Sequence, residues 1–435
     1  MKDAGRIILA TGGSLGDLHP FMALGRALQA RGLEAEIATA IDYRDKIRAA
    51  GLGFHEVGPG VEKLKQDTGL DLASLTAAIA RSDRFLFGDI LLPYAEEATR
   101  RLIAASEGAA AVAGSTLAIG AQLAAEHWRI PSVAVSLQPT MIFSRYDPPF
   151  LPSAPWLKPA TRGPQLWLND LTRLLGRMST ARWTNLINSI RASLGLPPTT
   201  DNIIFDAGRS ADLSLGLYSP LLSPRQPDAS PNFHVAGYAP YDSETGKPSA
   251  LSPELEIFLN AGPPPLVFTL GSAAVHIPGA FYTESLKAAR MLGHRAVFLT
   301  GPEGDPSLDD GWSDIHVAGY APYSLLFSRA AAIVHQGGVG TVHQALRSGR
   351  PQLVVPHLGD QYDNAARVVR LGCGMTLARA RYRAETVASR LGALLGAPGI
   401  TAQATAIAVE TRIEDGAGTA ADRIASLVRQ PPEQL

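Results

Sequence analysis

The stretch Val334–Asn364 reads VHQGGVGTVHQALRSGRPQLVVPHLGDQYDN, and its pattern decides the fold. It leaves a short apolar, β-branched run (Ala331–Val334), breaks at Gly337, Gly338 and Gly340, and continues as a helical segment over Thr341–Ser348. Gly349–Pro351 ends that segment, a second buried-strand run covers Leu353–Val355, and a polar turn follows at Asp360–Asn364. Strand, glycine loop, helix and strand in about thirty residues make a βαβ unit. In an open α/β sheet built from such units, ligands bind at the carboxyl ends of the strands. Glycines at that end let backbone N–H groups approach an anion, and the start of the next helix favours negative charge. His335 precedes the turn, and Asp360–Gln361 follow the second strand. One end of the unit therefore offers a phosphate cradle, an imidazole, and a carboxylate–amide pair suited to sugar hydroxyls.

Outward from this stretch the alternation of strand and helix repeats. Leu266–Leu270, Ala296–Thr300 and Ile315–Ala318 read as strands, with a turn at Gly271–Ser272 and a helix near Ala280–Leu292. Further helices are expected over Arg383–Leu395 and Gly418–Arg429. At the amino end, Arg6–Ala10 is an apolar strand and Thr11–Gly16 a glycine turn; Pro20 suits the first position of a helix, and Leu33–Thr39 is the next strand. Ala111–Gly114 and Ser132–Val135 continue the series. Tyr238–Ser252, rich in Pro, Gly, Ser and charge, reads as a linker. The expected organisation is α/β, with Rossmann-like domains over 1–237 and 253–415, a linker over 238–252, and a helix and tail over 416–435.

Composition removes several classes of function. A net charge of −1 with only 18% charged residues leaves no broad basic field for nucleic acid. The single cysteine, Cys373, rules out a disulfide framework. No apolar run approaches the length of a membrane span, and the first strand begins a few residues after Met1, so a cytoplasmic location is expected, with peripheral membrane contact left open. The turn Thr11–Gly16 places Ser14 and Asp17 where a dinucleotide fingerprint needs glycines, so a dehydrogenase fits poorly. With no D-x-D triplet and no close-set histidines among the ten, no metal is expected.

The segment His335–Gln361 resembles the nucleotide-sugar signature of family 1 glycosyltransferases: His335, Gly337–Gly338, Thr341, Gly349, Pro351, Pro356 and Asp360–Gln361 stand in that family's order and spacing. Within the family, DQYDNAARVVRLGCGM (Asp360–Met375), VFTLGS and YAPYSLLF are similar to the bacterial rhamnosyltransferase of rhamnolipid synthesis and its relatives acting on lipids, flavonoids and sterols. The resemblance implies a GT-B fold, two facing Rossmann-like domains with parallel sheets and a cleft between them. It also implies inverting transfer of a sugar from a UDP- or dTDP-sugar to a hydroxyl of an apolar acceptor, with no cofactor beyond that co-substrate.

Its site residues carry over as follows. Asp17, in the turn after the first strand, is the candidate general base, with His19 two residues on as an assistant. Gly271, Ser272, His335, Gly337, Gly338, Gly340 and Thr341 would hold the diphosphate, Tyr320 would stack on the nucleobase, and Asp360 and Gln361 would bind the sugar. His343 stands where many relatives carry a glutamate for the ribose, which admits a deoxyribose donor. Residues 140–200 alternate prolines with aromatics, and Phe143, Tyr146, Phe150 and Trp167 are the candidate acceptor contacts. Two donors stay open, dTDP-rhamnose and UDP-glucose, as do phenolic, hydroxy-lipid, sterol and polyketide acceptors. The alternatives are a nucleotide-sugar 2-epimerase of the same fold and a non-catalytic sugar-nucleotide-binding partner of a transferase.

Overall fold

The computed structural model describes residues 5–429, apart from 207, 244, 245, 247, 302, 303, 305–307, 309 and 310. The chain divides into two compact units. The first gathers the chain up to Asp71, Ser82–Tyr241 and the terminal stretch from Asp415; the second gathers Leu72–Arg81 and Asp242–Glu414. The change of unit at Tyr241–Asp242 falls within the expected linker. Helix Leu72–Arg81 departs from the expected division, since it counts with the second unit. Helical periodicity specifies a buried face but not which core that face serves.

The first unit is a seven-stranded sheet of β1 (Arg6–Ala10), β2 (Glu34–Thr39), β3 (Gly53–Glu56), β4 (Ala111–Ser115), β5 (Ser132–Ser136), β6 (Leu213–Gly216) and β7 (Phe233–Val235). The order is β3-β2-β1-β4-β5-β6-β7 with every pair parallel, and Leu9 lies opposite Ile37 on one side and Ala113 on the other. Both faces are covered. Ile7 and Leu9 join one apolar cluster, while Ile8 and Ala10 join another with Val112 and Ala124. Burial on both faces is why these strands read as unbroken apolar runs.

The helix after β1, α1 (Leu15–Gln29), starts five residues before Pro20 and carries that proline inside it. This corrects the expectation that Pro20 opens the helix. Ser14 is the N-cap: its hydroxyl accepts from the N–H of Gly16, and the Asp17 carboxylate accepts from the Ser14 N–H, a capping box. The terminal helix Gly416–Arg429 packs on α1, burying Ala420, Ala421 and Ile424, and the Arg31 guanidinium donates to both Asp422 oxygens and to the Gly418 carbonyl. Gly416 permits a close approach there, because a Cβ would stand 2.1 Å from the Gly237 carbonyl oxygen.

The second unit is a six-stranded parallel sheet of β8 (Leu266–Thr269), β9 (Ala296–Leu299), β10 (Ile315–Ala318), β11 (Ala332–His335), β12 (Gln352–Val354) and β13 (Gly374–Thr376), in the order β10-β9-β8-β11-β12-β13. Alternation again feeds two cores. Phe268, Phe298 and Val334 pack with Phe281 and Tyr282 on one face, and Val267, Val297 and Ile333 pack with Leu326 and Phe327 on the other. In each sheet the strand order reverses once, between β1 and β4 and between β8 and β11. Loops leaving adjacent strands diverge at such a point and open a crevice at their carboxyl ends.

Candidate active site

In the first unit, the loop from β1 to α1 brings Gly13, Ser14, Asp17 and Tyr43 together. Gly13 has φ +113°, and a Cβ on it would lie 2.4 Å from the Asp17 carboxylate, so glycine is required on both counts. Asp17 accepts through Oδ2 from the Ser14 N–H (2.8 Å) and hydroxyl (3.4 Å), and its Oδ1 makes no hydrogen bond among the described residues. The Tyr43 hydroxyl closes the loop by donating to the Gly13 carbonyl (2.9 Å). Burial pushes the Asp17 carboxyl up from 3.8 to about 6, although the Ser14 N–H and hydroxyl favour the ionised form. The chain thus holds a carboxylate one short step from neutrality beside the switch point of the sheet. That is the range a general base needs.

His19 is placed differently from its sequence expectation. Its ring lies obliquely against Tyr241 (5.5 Å, 52°), and its Nε2 is buried with no partner among the described residues. Burial first, and then the positive charge of Lys46, lower it to about 3. A histidine so disfavoured as a cation accepts protons poorly, and no hydrogen bond joins it to Asp17 among the described residues.

In the second unit, the turns leaving β8 and β11 meet. Gly271 has φ +64°, and a Cβ there would lie 2.2 Å from Nε2 of Gln336; a Cβ on Gly338 would lie 2.7 Å from the same atom. Gln336 therefore fills the space between the two glycine turns, in front of the first turn of helix Val339–Ser348, whose N-cap is Gly338. Its Nε2 donates to the Thr341 hydroxyl (3.4 Å), and its Oε1 is buried without a partner among the described residues. Thr341 also bonds the hydroxyl of Tyr323, which reaches Thr269 at the end of β8 (2.8 Å). Ser272 follows Gly271 in the same turn. Sequence reasoning missed Gln336.

His335, the residue it chose instead, points the other way. It is fully buried, its Nδ1 accepts from the Gly337 N–H (3.1 Å), and its Nε2 donates to Gln352 Oε1 on β12 (3.0 Å). Burial lowers it to about 4, so it is a neutral structural imidazole. Both ring nitrogens are engaged by protein groups. His343 is likewise buried on its helix, with Nδ1 donating to the Val339 carbonyl (2.7 Å) and burial lowering it to about 4.

The sugar-binding candidates sit at the start of helix Gln361–Arg370. Asn364 links them to the glycine loop: its Nδ2 donates to the Gly337 carbonyl (2.9 Å) and to Asp360 Oδ2 (2.7 Å). Gly337 (φ +93°) admits no side chain, since a Cβ would meet Val354 at 2.7 Å. Asp360 is half-buried, whereas Gln361 is buried and its Oε1 accepts from the N–H groups of His357 and Leu358. Gln361 is thus partly consumed in shaping the turn. Gly340 lies in the first turn of Val339–Ser348, where a Cβ would meet nothing. Tyr320, 45% exposed beyond β10, donates its hydroxyl to the Asp242 carbonyl (2.7 Å).

The four acceptor candidates do not form one pocket. Phe143 packs against Phe205 (5.8 Å) in a cavity of about 330 Å³ with Arg173, Asp206, Asp228 and Phe233, against the amino ends of β6 and β7. This is the end of the sheet opposite to the crevice. Tyr146 lies under the Arg145 guanidinium (5.2 Å), Phe150 is exposed, and Trp167 is 82% exposed on helix Pro164–Ser179. Among the described residues no group of three or more His, Cys, Asp or Glu could hold a metal ion.

The architecture has close counterparts among solved structures. The chain matches the calicheamicin glycosyltransferase CalG4 with a TM-score of 0.70 at 15% identity, covering 98% of each chain. It matches glycosyltransferase VinC in complex with dTDP with a TM-score of 0.69 at 18% identity, covering 98% of this chain and 100% of the other. The fold is that of the GT-B glycosyltransferases. Residues 7–134 match the glycosyltransferase family 28 N-terminal domain, and residues 297–423 the erythromycin biosynthesis protein CIII-like C-terminal domain.

The chain is 32% identical over 423 residues to the vancomycin aglycone glucosyltransferase of Amycolatopsis orientalis, covering 96% of each. It is 31% identical over 445 residues to the O-mycaminosyltylonolide 6-deoxyallosyltransferase of Streptomyces fradiae, covering 94% of this chain and 95% of that one. The protein belongs to this family of natural-product glycosyltransferases: it is an enzyme that transfers sugar from a nucleotide-sugar donor to small-molecule acceptors.

Proposed function

We propose that the protein glycosylates a hydroxyl of an apolar aglycone, of the polyketide or glycopeptide kind, with Asp17 as general base. The observation that carries this is the Asp17 carboxyl at about 6, with Oδ1 unused, beside the switch point of the first sheet. The acceptor oxygen forms its bond to the anomeric carbon as the bond from that carbon to the phosphate oxygen breaks. The acceptor proton passes to Asp17, and the nucleoside diphosphate leaves with the bonding pair, so the anomeric configuration inverts. Backbone N–H groups at the start of helix Val339–Ser348, together with the Gln336 amide, take up the charge of the leaving diphosphate. Asp360 binds the sugar, and Tyr320 stacks on the base.

A thymidine diphosphate sugar is the preferred donor. Support comes from relatives: VinC and SsfS6 were solved with thymidine diphosphate, and a relative of Amycolatopsis orientalis, 28% identical, is a dTDP-epi-vancosaminyltransferase. Glucosyl transfer by the vancomycin relative keeps a glucose donor in the test set. The deciding experiment incubates the enzyme with dTDP- and UDP-sugars and a panel of hydroxylated aglycones, with product mass and anomeric coupling as readouts. Transfer from dTDP-sugars with inversion is expected, and it should survive exhaustive chelation because N–H donors supply the phosphate charge partner. Exclusive use of UDP-sugars, retention of configuration, or activity restored only by Mg²⁺ would each overturn the corresponding part.

A further inference from the structure

Helix Pro164–Ser179 is built inside out. Trp167, Leu171, Leu174, Leu175 and Met178 are 82%, 51%, 53%, 56% and 66% exposed. Their spacing of four, seven, eight and eleven residues from Trp167 puts them on one face, a stripe about 100° wide and about 16 Å long. In an ordinary surface helix that stripe would face the core. Here the other side is anchored: the Asn169 amide donates to the carbonyls of Arg145 (2.7 Å) and Lys158 (2.9 Å), and Gly176 lies against the Phe205 ring. Arg173 and Arg177 pair with the buried Asp206. The polar side is consumed by the fold, and the apolar side is held outward by it.

Charge around the stripe is one-sided. Between Trp156 and Ser193 the chain has six basic residues, Lys158, Arg162, Arg173, Arg177, Arg182 and Arg191, and one acidic residue, Asp170; Arg173 and Arg177 pair with Asp206 and Arg191 with Glu126, which leaves three cations to the surface. Asp170 is itself paired to Arg145 (3.0 Å). Lys158, Arg162 and Arg182 are exposed and make no ion pair among the described residues. At the amino end of the stripe lies an open depression of about 600 Å³ lined by Arg145, Gly163, Pro164, Leu166 and Trp167.

We propose that this helix is a lipid-docking element that seats the enzyme on an anionic membrane surface, where an apolar acceptor would partition. An outward stripe of Trp, Leu and Met beside unpaired Lys and Arg is complementary to an interface of acyl chains below anionic headgroups. No single helix among the described residues is long and apolar enough to cross a membrane, so the contact is with the surface. A second copy of the chain is disfavoured as occupant, because joining the stripe to itself would face its cations with like charge. The inference stands on the stripe and its charges and is independent of the role of Asp17.

The test is co-sedimentation of the full chain with vesicles of phosphatidylcholine alone, or with about one-third phosphatidylglycerol. Binding to the anionic vesicles, release by salt, and a loss of about tenfold or more in the double variant Leu171→Ser/Leu175→Ser are expected. Both leucines are exposed, so the variant should melt as the wild type does, and a melting curve checks that. A second variant, Arg162→Gln/Arg182→Gln, should lose the preference for anionic lipid while keeping the apolar stripe. Failure to pellet with either vesicle, or equal pelleting of the leucine variant, would overturn the proposal. So would a lipid-free dimer that the leucine variant dissociates, which would assign the stripe to a second copy.

Discussion

Replacing Asp17 by Asn removes one ionisation and leaves the shape of the cap, because the amide oxygen can still accept the Ser14 N–H. The carboxyl is 3.8 when free and about 6 in place. Below about pH 4 it is protonated in the folded and unfolded chains alike, and it contributes no pH dependence. Between about 4 and 6 the unfolded chain ionises first, so stability falls as pH rises; above about 6 both are ionised and the loss is constant. The displacement corresponds to about 3 kcal/mol, and solvent reaching the half-buried group reduces this to roughly 1–2 kcal/mol. The Asn variant lacks this loss. It should match the wild type near pH 4 and be more stable by that amount above pH 7, the other carboxyls cancelling in the difference.

Transfer should run the opposite way. Wild-type kcat/KM should rise with pH through an acid limb near 6, and the Asn variant should lose about a hundredfold to ten-thousandfold. Urea unfolding and initial rates across pH, on the two proteins side by side, measure both trends. A variant that keeps transfer overturns the base assignment. A variant less stable than wild type at pH 7 refutes the argument from burial and leaves Asp17 as a cap alone.

The second unit offers three sharper perturbations. Gln336→Ala should weaken nucleoside diphosphate binding by about tenfold or more in calorimetry, as loss of a hydrogen bond to a charged group does, while the fold persists. Gly271→Ala forces φ +64° on a side chain whose Cβ meets Gln336, so it should lose about 1 kcal/mol of stability in urea and most of the thermal stabilisation that the nucleotide confers. Asp363→Ala removes the buried carboxylate paired at 2.7 Å with the Arg367 guanidinium, which is 2% exposed, and should cost about 3–5 kcal/mol in denaturant unfolding.

Much of this molecule was legible because parallel strands buried on both faces announce themselves. β8, β9 and β11 lie within a residue or two of their apolar runs, and the glycine turns mark where they end. The capping box was also legible, as Ser14 followed three residues later by Asp17, although Pro20 drew attention away from it. Helix Pro398–Arg412, which ends in ATAIAVETR, was overlooked because small Ala and Thr residues give it hardly any amphipathic contrast.

Residue type and spacing do not show which side chains at the site the fold has already engaged. His335 closes β11 with both ring nitrogens engaged, whereas Gln336, one residue past the strand and also buried, lies between Gly271 and Gly338. A motif read by residue type favours the imidazole, whereas the sheet favours its neighbour. The acceptor segment failed differently. Counting aromatics cannot show which face of a helix the fold consumes, and here Asp206, forty residues beyond the start of that helix, turns Arg173 and Arg177 inward and Trp167 outward. The carboxyl of Asp17 belongs to the same class of fact: its identity is local, but its displacement to about 6 depends on burial that the surrounding loops supply. A residue's candidacy for the chemistry is thus readable from type and spacing, while its availability depends on the side chains that distant segments bring to it.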